Sequence, residues 1–225
     1  MPIDVEMLRQ IPLFAPLSAE ELAHVAAMTV ERHYERGDLI LLEGDMGGAL
    51  HYVCSGLVKV FKTSVGGKEQ VLRLIAAGHT FNDVPALDGG PNPASAAAME
   101  SSVVYVIRRA ELRHLIVTRP EVAEAVVQTL ASALRHLVTL VEDLSLRHVT
   151  ARVAKILLEQ EASFQEGQHV YHLTQQEMAA LAGTAREVVG RALKELEVAG
   201  AIEMQQGRAV VLSRERLRLL VSGEQ

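Results

Sequence analysis

A single cysteine, Cys54, in 225 residues leaves this chain without any disulfide of its own. It also leaves too few thiolates for one subunit to hold a four-cysteine iron–sulfur cluster. No apolar run reaches the roughly 20 residues that a membrane span needs, because Asp, Glu, Lys or Arg interrupts every candidate. The first ten residues carry Asp4 and Glu6 and no apolar signal core. A cytoplasmic protein with no membrane partner is therefore expected. Nor is there an excess of cations: 22 Lys and Arg face 28 Asp and Glu, a net charge of −6. Taken as a bulk figure, that speaks against a nucleic-acid partner, since phosphates reward Lys and Arg. With 49% hydrophobic and 22% charged residues, the chain is neither disordered nor collagen-like. Its length suits one large domain or two modest ones.

The charge is unevenly placed. Residues 1–147 hold thirteen Lys and Arg against eighteen Asp and Glu, whereas residues 148–225 hold nine against ten. The last third is nearly neutral with its cations clustered, so bulk charge does not exclude DNA there. Up to about Ile107, glycines recur every 7 to 12 residues, from Gly37 and Gly44 through Gly56 and Gly78 to Gly89. Between them lie apolar runs such as 57–61 and 71–75, the pattern of an all-β sandwich or barrel. Ahead of the strands, Ser18 and Glu21 form a capping box for a helix over Ala19 to Met28.

From Pro120 to Leu146 there is neither glycine nor internal proline. Val126, Leu130, Ala133, Leu137, Leu140 and Leu144 are separated by alternating steps of three and four. That heptad seam predicts a long helix pairing with its twin in a parallel homodimer. A second stripe, Val127, Leu134 and Val141, suits a helix that also touches its own β domain. The chain is therefore expected to be α+β. Residues 1–118 would form a β sandwich or barrel, 119–147 a dimerisation helix and 148–225 a winged helix-turn-helix.

In that last part, Gly167 and its neighbours read as a loop after a helix over Val149 to Glu161. Thr174 with Glu177 makes another capping box, and the helix it opens stops at Gly183. A second helix runs from about Ala185 to Ala199, so that Ala182-Gly183-Thr184 is the turn of a helix-turn-helix. Ile202 to Leu212, turning at Gln206-Gly207, would be the wing. On the second helix Val189, Leu193 and Leu196 face inward. Arg186, Glu187, Gly190 and Arg191 face outward, with Lys194 one turn beyond. Arginine can pair bidentately with guanine and glutamate can accept from cytosine, while Gly190 lets the helix lie close to the groove. Double-stranded DNA is the partner this face fits.

These residues resemble the cyclic-AMP receptor/FNR family of bacterial regulators. The resemblance runs from Thr174-Gln175-Gln176-Glu177 through Arg186-Glu187-Val188-Val189-Gly190-Arg191. It continues in Leu39 to Gly44, Ser55-Gly56 and Gly78 with Phe81, and covers nearly the whole chain. It implies that residues 1–118 are a β jelly-roll, cyclic-nucleotide-binding-like sensor domain, and that the protein is a transcription factor that works with RNA polymerase. It also implies that Thr174, Gln175, Thr184, Arg186, Glu187, Gly190, Arg191 and Lys194 contact DNA. The half-site would resemble TGTGA, with two half-sites about 34 Å apart.

The effector site departs from the family pattern. Where nucleotide-binding members have Gly and Glu after Phe81, this chain has Asn82 and Asp83. Where they have an Arg before a small hydroxyl residue, it has Pro93 and Ala94. The paired hydroxyl residues on the dimer helix correspond to Leu137 and Val138. A buried phosphate without its guanidinium loses a strong polar pair, so a classical cyclic-AMP response is not expected. The hinge Glu142 to Arg147 resembles that of the nitrogen-oxide-responsive branch, which implies haem as an alternative cofactor. His79, just before the cassette, would be the iron ligand, and Pro2 is a weaker parallel with carbon-monoxide-sensing relatives. A factor with no effector at all also remains open. Cys54 alternates in phase with Leu50 and Tyr52, which suits packing more than redox sensing.

An enzyme is the competing class. A jelly roll with histidines invites comparison with metal-dependent cupins, but His51-Tyr52-Val53 lacks their second histidine. His169 and His172 fall in the DNA-binding part, without suitably placed carboxylates. There is no nucleophile elbow, P-loop or dinucleotide turn. The expectation is a regulator with no catalytic residues and no assured metal.

Overall fold

The computed structural model describes residues 3–165 and 171–222, the side chains of 163–165 aside. Pro2, Gly167 and His169 lie outside the described residues. The chain divides into two compact units. One comprises Met1–Lys62 with Leu72–Arg135, the other Thr63–Val71 with His136–Gln225. The division falls inside the long helix rather than at its ends.

Two short helices open the first unit, α1 (Val5–Arg9) and α2 (Ala19–Met28). The Ser18 hydroxyl accepts from the Glu21 amide at 3.3 Å, and the Glu21 carboxylate accepts from the Ser18 amide at 2.9 Å. This is the capping box expected from the sequence. Eight strands follow: β1 (Thr29–Tyr34), β2 (Leu39–Leu41), β3 (Ala49–Ser55), β4 (Leu57–Thr63), β5 (Glu69–Ala76), β6 (Thr80–Phe81), β7 (Ser95–Ala98) and β8 (Ser102–Arg108). They form two four-stranded sheets, ordered β1-β8-β3-β6 and β2-β7-β4-β5, the strand order of a jelly roll. The sheets enclose a core of Val53, Val58, Ile75, Phe81, Ala96 and Val104. The other face of the first sheet, through Leu50, Tyr52 and Ile107, packs on Phe14, Leu22 and Leu112.

Positive φ falls where the strands turn. Gly56 holds φ +91, and a Cβ there would lie 2.7 Å from the Ser101 carbonyl oxygen, so the β3–β4 corner admits only glycine. Asn82, with φ 63, makes the left-handed step from β6 into α3 (Asp83–Asp88). After β8 come α4 (Arg109–Thr118) and α5 (Pro120–Leu146). Val122 and Val126 bury the foot of α5 in the core of the first unit. Val126 therefore does not belong to a dimer seam: at 8% exposed it is spent on its own domain. Val127, Leu130, Leu134, Leu137 and Val141 form the bare apolar stripe instead, with Leu134 at 63% and Leu137 at 47% exposed.

In the second unit, α6 (Val149–Gln165), α7 (Gln175–Ala182) and α8 (Arg186–Val198) precede the hairpin β9 (Ile202–Gln205) and β10 (Arg208–Val211). The hairpin turns on Gln206 and Gly207 with φ 50 and 80, the both-positive pattern of a two-residue turn. A last helix, α9 (Arg214–Ser222), buries Leu217. Val153, Leu157, Met178, Val189, Leu193, Leu196 and Ile202 make one core. The interruption between Leu146 and Val149 coincides with the hinge read from the sequence.

Candidate functional site

Thr174 caps α7, accepting from the Glu177 amide at 3.2 Å while Glu177 accepts from the Thr174 amide at 2.7 Å. Tyr171 donates to the same carboxylate at 2.6 Å, fixing the entry to the helix pair. Gly183 ends α7 in the left-handed region with φ 65. Its neighbour Thr184 donates its amide to the Ala179 carbonyl at 3.0 Å. Val189, Leu193 and Leu196 are buried, so the rotation of α8 is fixed by packing. Arg186, Glu187, Arg191 and Lys194 are then left exposed, with Gly190 half-buried between them.

The charged groups of α8 divide sharply. Glu195 accepts from the Thr150 hydroxyl at 2.6 Å, and Glu197 accepts from the Met204 amide at 3.1 Å, so two of the three acids of α8 are used within the domain, while Glu187 stays exposed. Arg186, Arg191 and Lys194 have no ion pair or hydrogen bond to a side chain among the described residues. Gln175, at the start of α7, lies alongside: a Cβ on Gly190 would meet its Oε1 at 3.7 Å, an ordinary contact. Folding therefore does not demand glycine at 190.

A cavity of about 130 Å³ opens in the first unit between the second sheet and α3. Phe81, Asn82, Asp83, Pro93 and Ala94, expected to form an effector pocket, all line it, with Leu41, Val60, Ile75 and Ala96 supplying apolar wall. Thr80 donates its hydroxyl to the Asp83 carboxylate at 2.9 Å. Burial raises the pKa of Asp83 above the ordinary carboxylate value, with Thr80 and Arg73 acting against that rise.

A family model described as a cyclic nucleotide-binding domain matches residues 31–119, and one described as a Crp-like helix-turn-helix domain matches 151–220. The cyclic AMP receptor protein of Thermus thermophilus is 35% identical over 201 residues, covering 89% of this chain and 92% of that one. A CRP-like cAMP-activated global transcriptional regulator of Mycobacterium tuberculosis is 30% identical over 217 residues, covering 94% and 97%. The chain belongs to the Crp/Fnr family of transcriptional regulators. Solved structures agree on the fold. FixK2 from Bradyrhizobium japonicum superposes with a TM-score of 0.73 at 24% identity over 85% of this chain and 96% of its own. The c-di-GMP responsive global regulator CLP of Xanthomonas campestris gives 0.74 at 22%, over 87% and 100%. This Crp/Fnr protein is a regulator with a helix-turn-helix DNA-binding domain and not an enzyme.

The family's own ligands fit its pocket poorly. Pro93 and Ala94 stand where nucleotide-binding relatives have an Arg and a hydroxyl residue, so the one cation of the lining is Arg73 on β5. Nearby Lys62 is held by Glu43 at 2.5 Å and by the Pro93 carbonyl at 3.2 Å. The volume is close to that of a cavity that holds benzene. Haem fits no better. His79 is exposed, its Nδ1 facing the Ala77 carbonyl at 3.2 Å, and it does not line the cavity. Among the described residues only His51 is a buried histidine, and no cluster of three metal-ligating side chains exists. The expectation of His79 as an iron ligand is corrected accordingly: the turn before β6 aims the ring at solvent.

The hinge motif that resembled the nitrogen-oxide branch has a structural use. Arg147 pairs with Asp143 at 2.8 Å and Glu142 at 3.0 Å and donates to the Val221 carbonyl at 2.8 Å. Lys155 also pairs with Asp143. Cys54 packs beside Leu50 and Tyr52, and burial pushes its thiol up to about 12, which leaves almost no thiolate for redox chemistry. No helix among the described residues is long and apolar enough to cross a membrane. The residue that sequence reasoning missed is Arg73 on β5, the lone cation lining the cavity. Its signal was an arginine in the middle of the apolar run 71–75.

Proposed function

We propose that this Crp/Fnr regulator binds DNA as a homodimer on a palindromic TGTGA-like site, under an effector other than cyclic AMP or under none. The observation that carries the reading is the charged face of α8: Glu195 and Glu197 are used inside the domain, while Arg186, Arg191 and Lys194 stay exposed together with Glu187. Arg186 and Arg191 would address guanines and Glu187 a cytosine, with Lys194, Thr174, Gln175 and Thr184 placed for the backbone. Gly190 keeps the middle of the helix low against the groove. The bare stripe from Val127 to Val141 supports pairing with a second copy, since its alternating steps of three and four are those of a coiled-coil seam. RNA polymerase is the partner such a dimer would meet at a promoter.

Fluorescence anisotropy on a palindromic TGTGA-type duplex, against a scrambled duplex at fixed salt, tests the reading. Arg186→Ala should cost roughly 1–3 kcal/mol of specific binding and relax the preference at one position. Discrimination that is unchanged in this variant would remove α8 from sequence readout. Leu137→Glu should sediment as a monomer and lose the palindrome; a dimeric, DNA-competent variant would move the seam elsewhere.

A further inference from the structure

The cavity carries one positive and one negative group on otherwise apolar walls. Arg73 comes from β5 and Asp83 from the first turn of α3. The two feel each other electrostatically but form no ion pair, and Arg73 has no hydrogen-bonding partner among the described residues. Asp83 receives the Thr80 hydroxyl at 2.9 Å and its own backbone amide. A cation and a carboxyl group held apart across a small apolar space are complementary to a ligand with the opposite order of charges on an apolar body. A simple anion would satisfy Arg73 but set its charge against Asp83, and a simple amine would do the reverse. A zwitterion satisfies both and leaves the local charge balance unchanged. The volume, about 130 Å³, holds a body of about six carbon atoms by comparison with benzene in a cavity of about 150 Å³.

We propose that this pocket takes a free α-amino acid with an apolar side chain, its carboxylate on Arg73 and its ammonium group on Asp83. Leu41, Val60, Ile75 and Ala96 receive the side chain. The proposal rests on the reading of the chain as an effector-controlled regulator and names the effector class. Asp83 also faces the narrow gap lined by Leu13, Leu87, Leu112, Val126 and Leu130, where the foot of α5 is packed. An ammonium group on Asp83 is therefore bound by a residue that lines the same gap as the foot of α5.

Isothermal titration calorimetry on the full chain, with L-leucine, L-valine and L-phenylalanine as probes, tests this. Leucine without its amino group (4-methylpentanoate), leucine without its carboxylate (3-methylbutylamine) and cyclic AMP are the comparisons. At least one amino acid should bind saturably, and each truncated analogue should bind about 10- to 100-fold more weakly, the value of one charge-assisted contact. Arg73→Gln should weaken the amino acid by a similar factor while leaving 3-methylbutylamine unchanged, and Asp83→Asn should spare 4-methylpentanoate instead. Ala96→Leu, which fills the pocket without touching either charge, should abolish binding in a protein whose thermal melt stays cooperative. If no amino acid binds, or if cyclic AMP or either truncated analogue binds as tightly as the amino acid, the assignment is overturned. Anisotropy on the palindromic duplex is read in parallel: specific DNA binding without amino-acid binding refutes the ligand class alone, whereas loss of specific DNA binding refutes the regulator reading itself.

Discussion

Acid should destabilise the β domain through one histidine. His51 sits on β3 opposite Phe81, its ring 5.0 Å from the Phe81 ring, and its Nδ1 meets the Ala49 carbonyl at 3.1 Å. Burial pulls its pKa from 6.5 down to about 4, and the carbonyl contact only partly opposes that. Between those two pH values the unfolded chain holds a proton that the folded chain does not, so falling pH favours unfolding. The stability associated with neutral His51 is complete above pH 6.5, declines through the interval and is exhausted near pH 4. At roughly 1.4 kcal/mol per pH unit, the loss approaches about 3 kcal/mol. Asp83 works in the opposite direction, since its raised pKa makes the folded state the better proton binder in the carboxylate range. The measurement must therefore be a difference. Urea unfolding followed by near-UV circular dichroism, between pH 7 and pH 4.5, is compared for the native chain and His51→Leu. The Ala49 carbonyl keeps the Asn82 amide donor at 3.2 Å in the variant, so it is not orphaned. The gap between the two curves should change by most of that amount across the interval. Parallel curves would mean that His51 is not buried in its neutral form, and the argument would fail.

Three further outcomes follow from local geometry. Cys54 should resist iodoacetamide at pH 8 in the folded protein and react readily in urea, because burial holds its thiol near 12; rapid native-state labelling by mass spectrometry would contradict this. Gly56→Ala should cost at least about 2 kcal/mol, read by thermal denaturation, since φ +91 and a carbonyl oxygen 2.7 Å from the new Cβ leave no relaxed conformation. Leu193→Ala should destabilise the DNA-binding domain by roughly 2–5 kcal/mol and lower its melting temperature, because the side chain is fully enclosed between α6, α7 and α8; an unchanged melt would refute the packing.

Much of this was legible because the deciding features were local. Ser18 with Glu21 and Thr174 with Glu177 announce helix starts through side chains that reach only three residues. Gly183 and the Gln206-Gly207 pair mark turns by backbone conformation alone. What the sequence did not reveal depends on partners far along the chain. The apolar residues of α4 and α9, Leu112, Leu115 and Leu217, acquire meaning only from the cores they enter. Periodicity puts Val126 in a dimer seam and Val127 in the stripe facing the β domain. The core of the first unit instead takes in Val126 and leaves Val127 bare, a choice that periodicity alone does not contain. Likewise His79 and His51 look alike in sequence, and only the register of β3 against β6 buries one while the turn exposes the other.

Two residues break local rules without any internal compensation, and their positions converge with the functional reading. Gly190 sits inside α8, where glycine costs about 1 kcal/mol relative to alanine, yet a Cβ there would meet nothing closer than 3.7 Å. Neither a close packing contact nor backbone strain accounts for it. Arg73 places a guanidinium in a strand whose neighbours are apolar, and no partner in the described fold uses it. A half-buried charge with no ion pair among the described residues is a local exception of the kind expected where a ligand supplies the partner. One exception lies on the helix offered to DNA and the other in the sensor cavity. A net charge of −6 is therefore no obstacle to a DNA regulator, because what matters is which charges the fold leaves unspent, and on α8 the fold uses Glu195 and Glu197 while sparing all three cations.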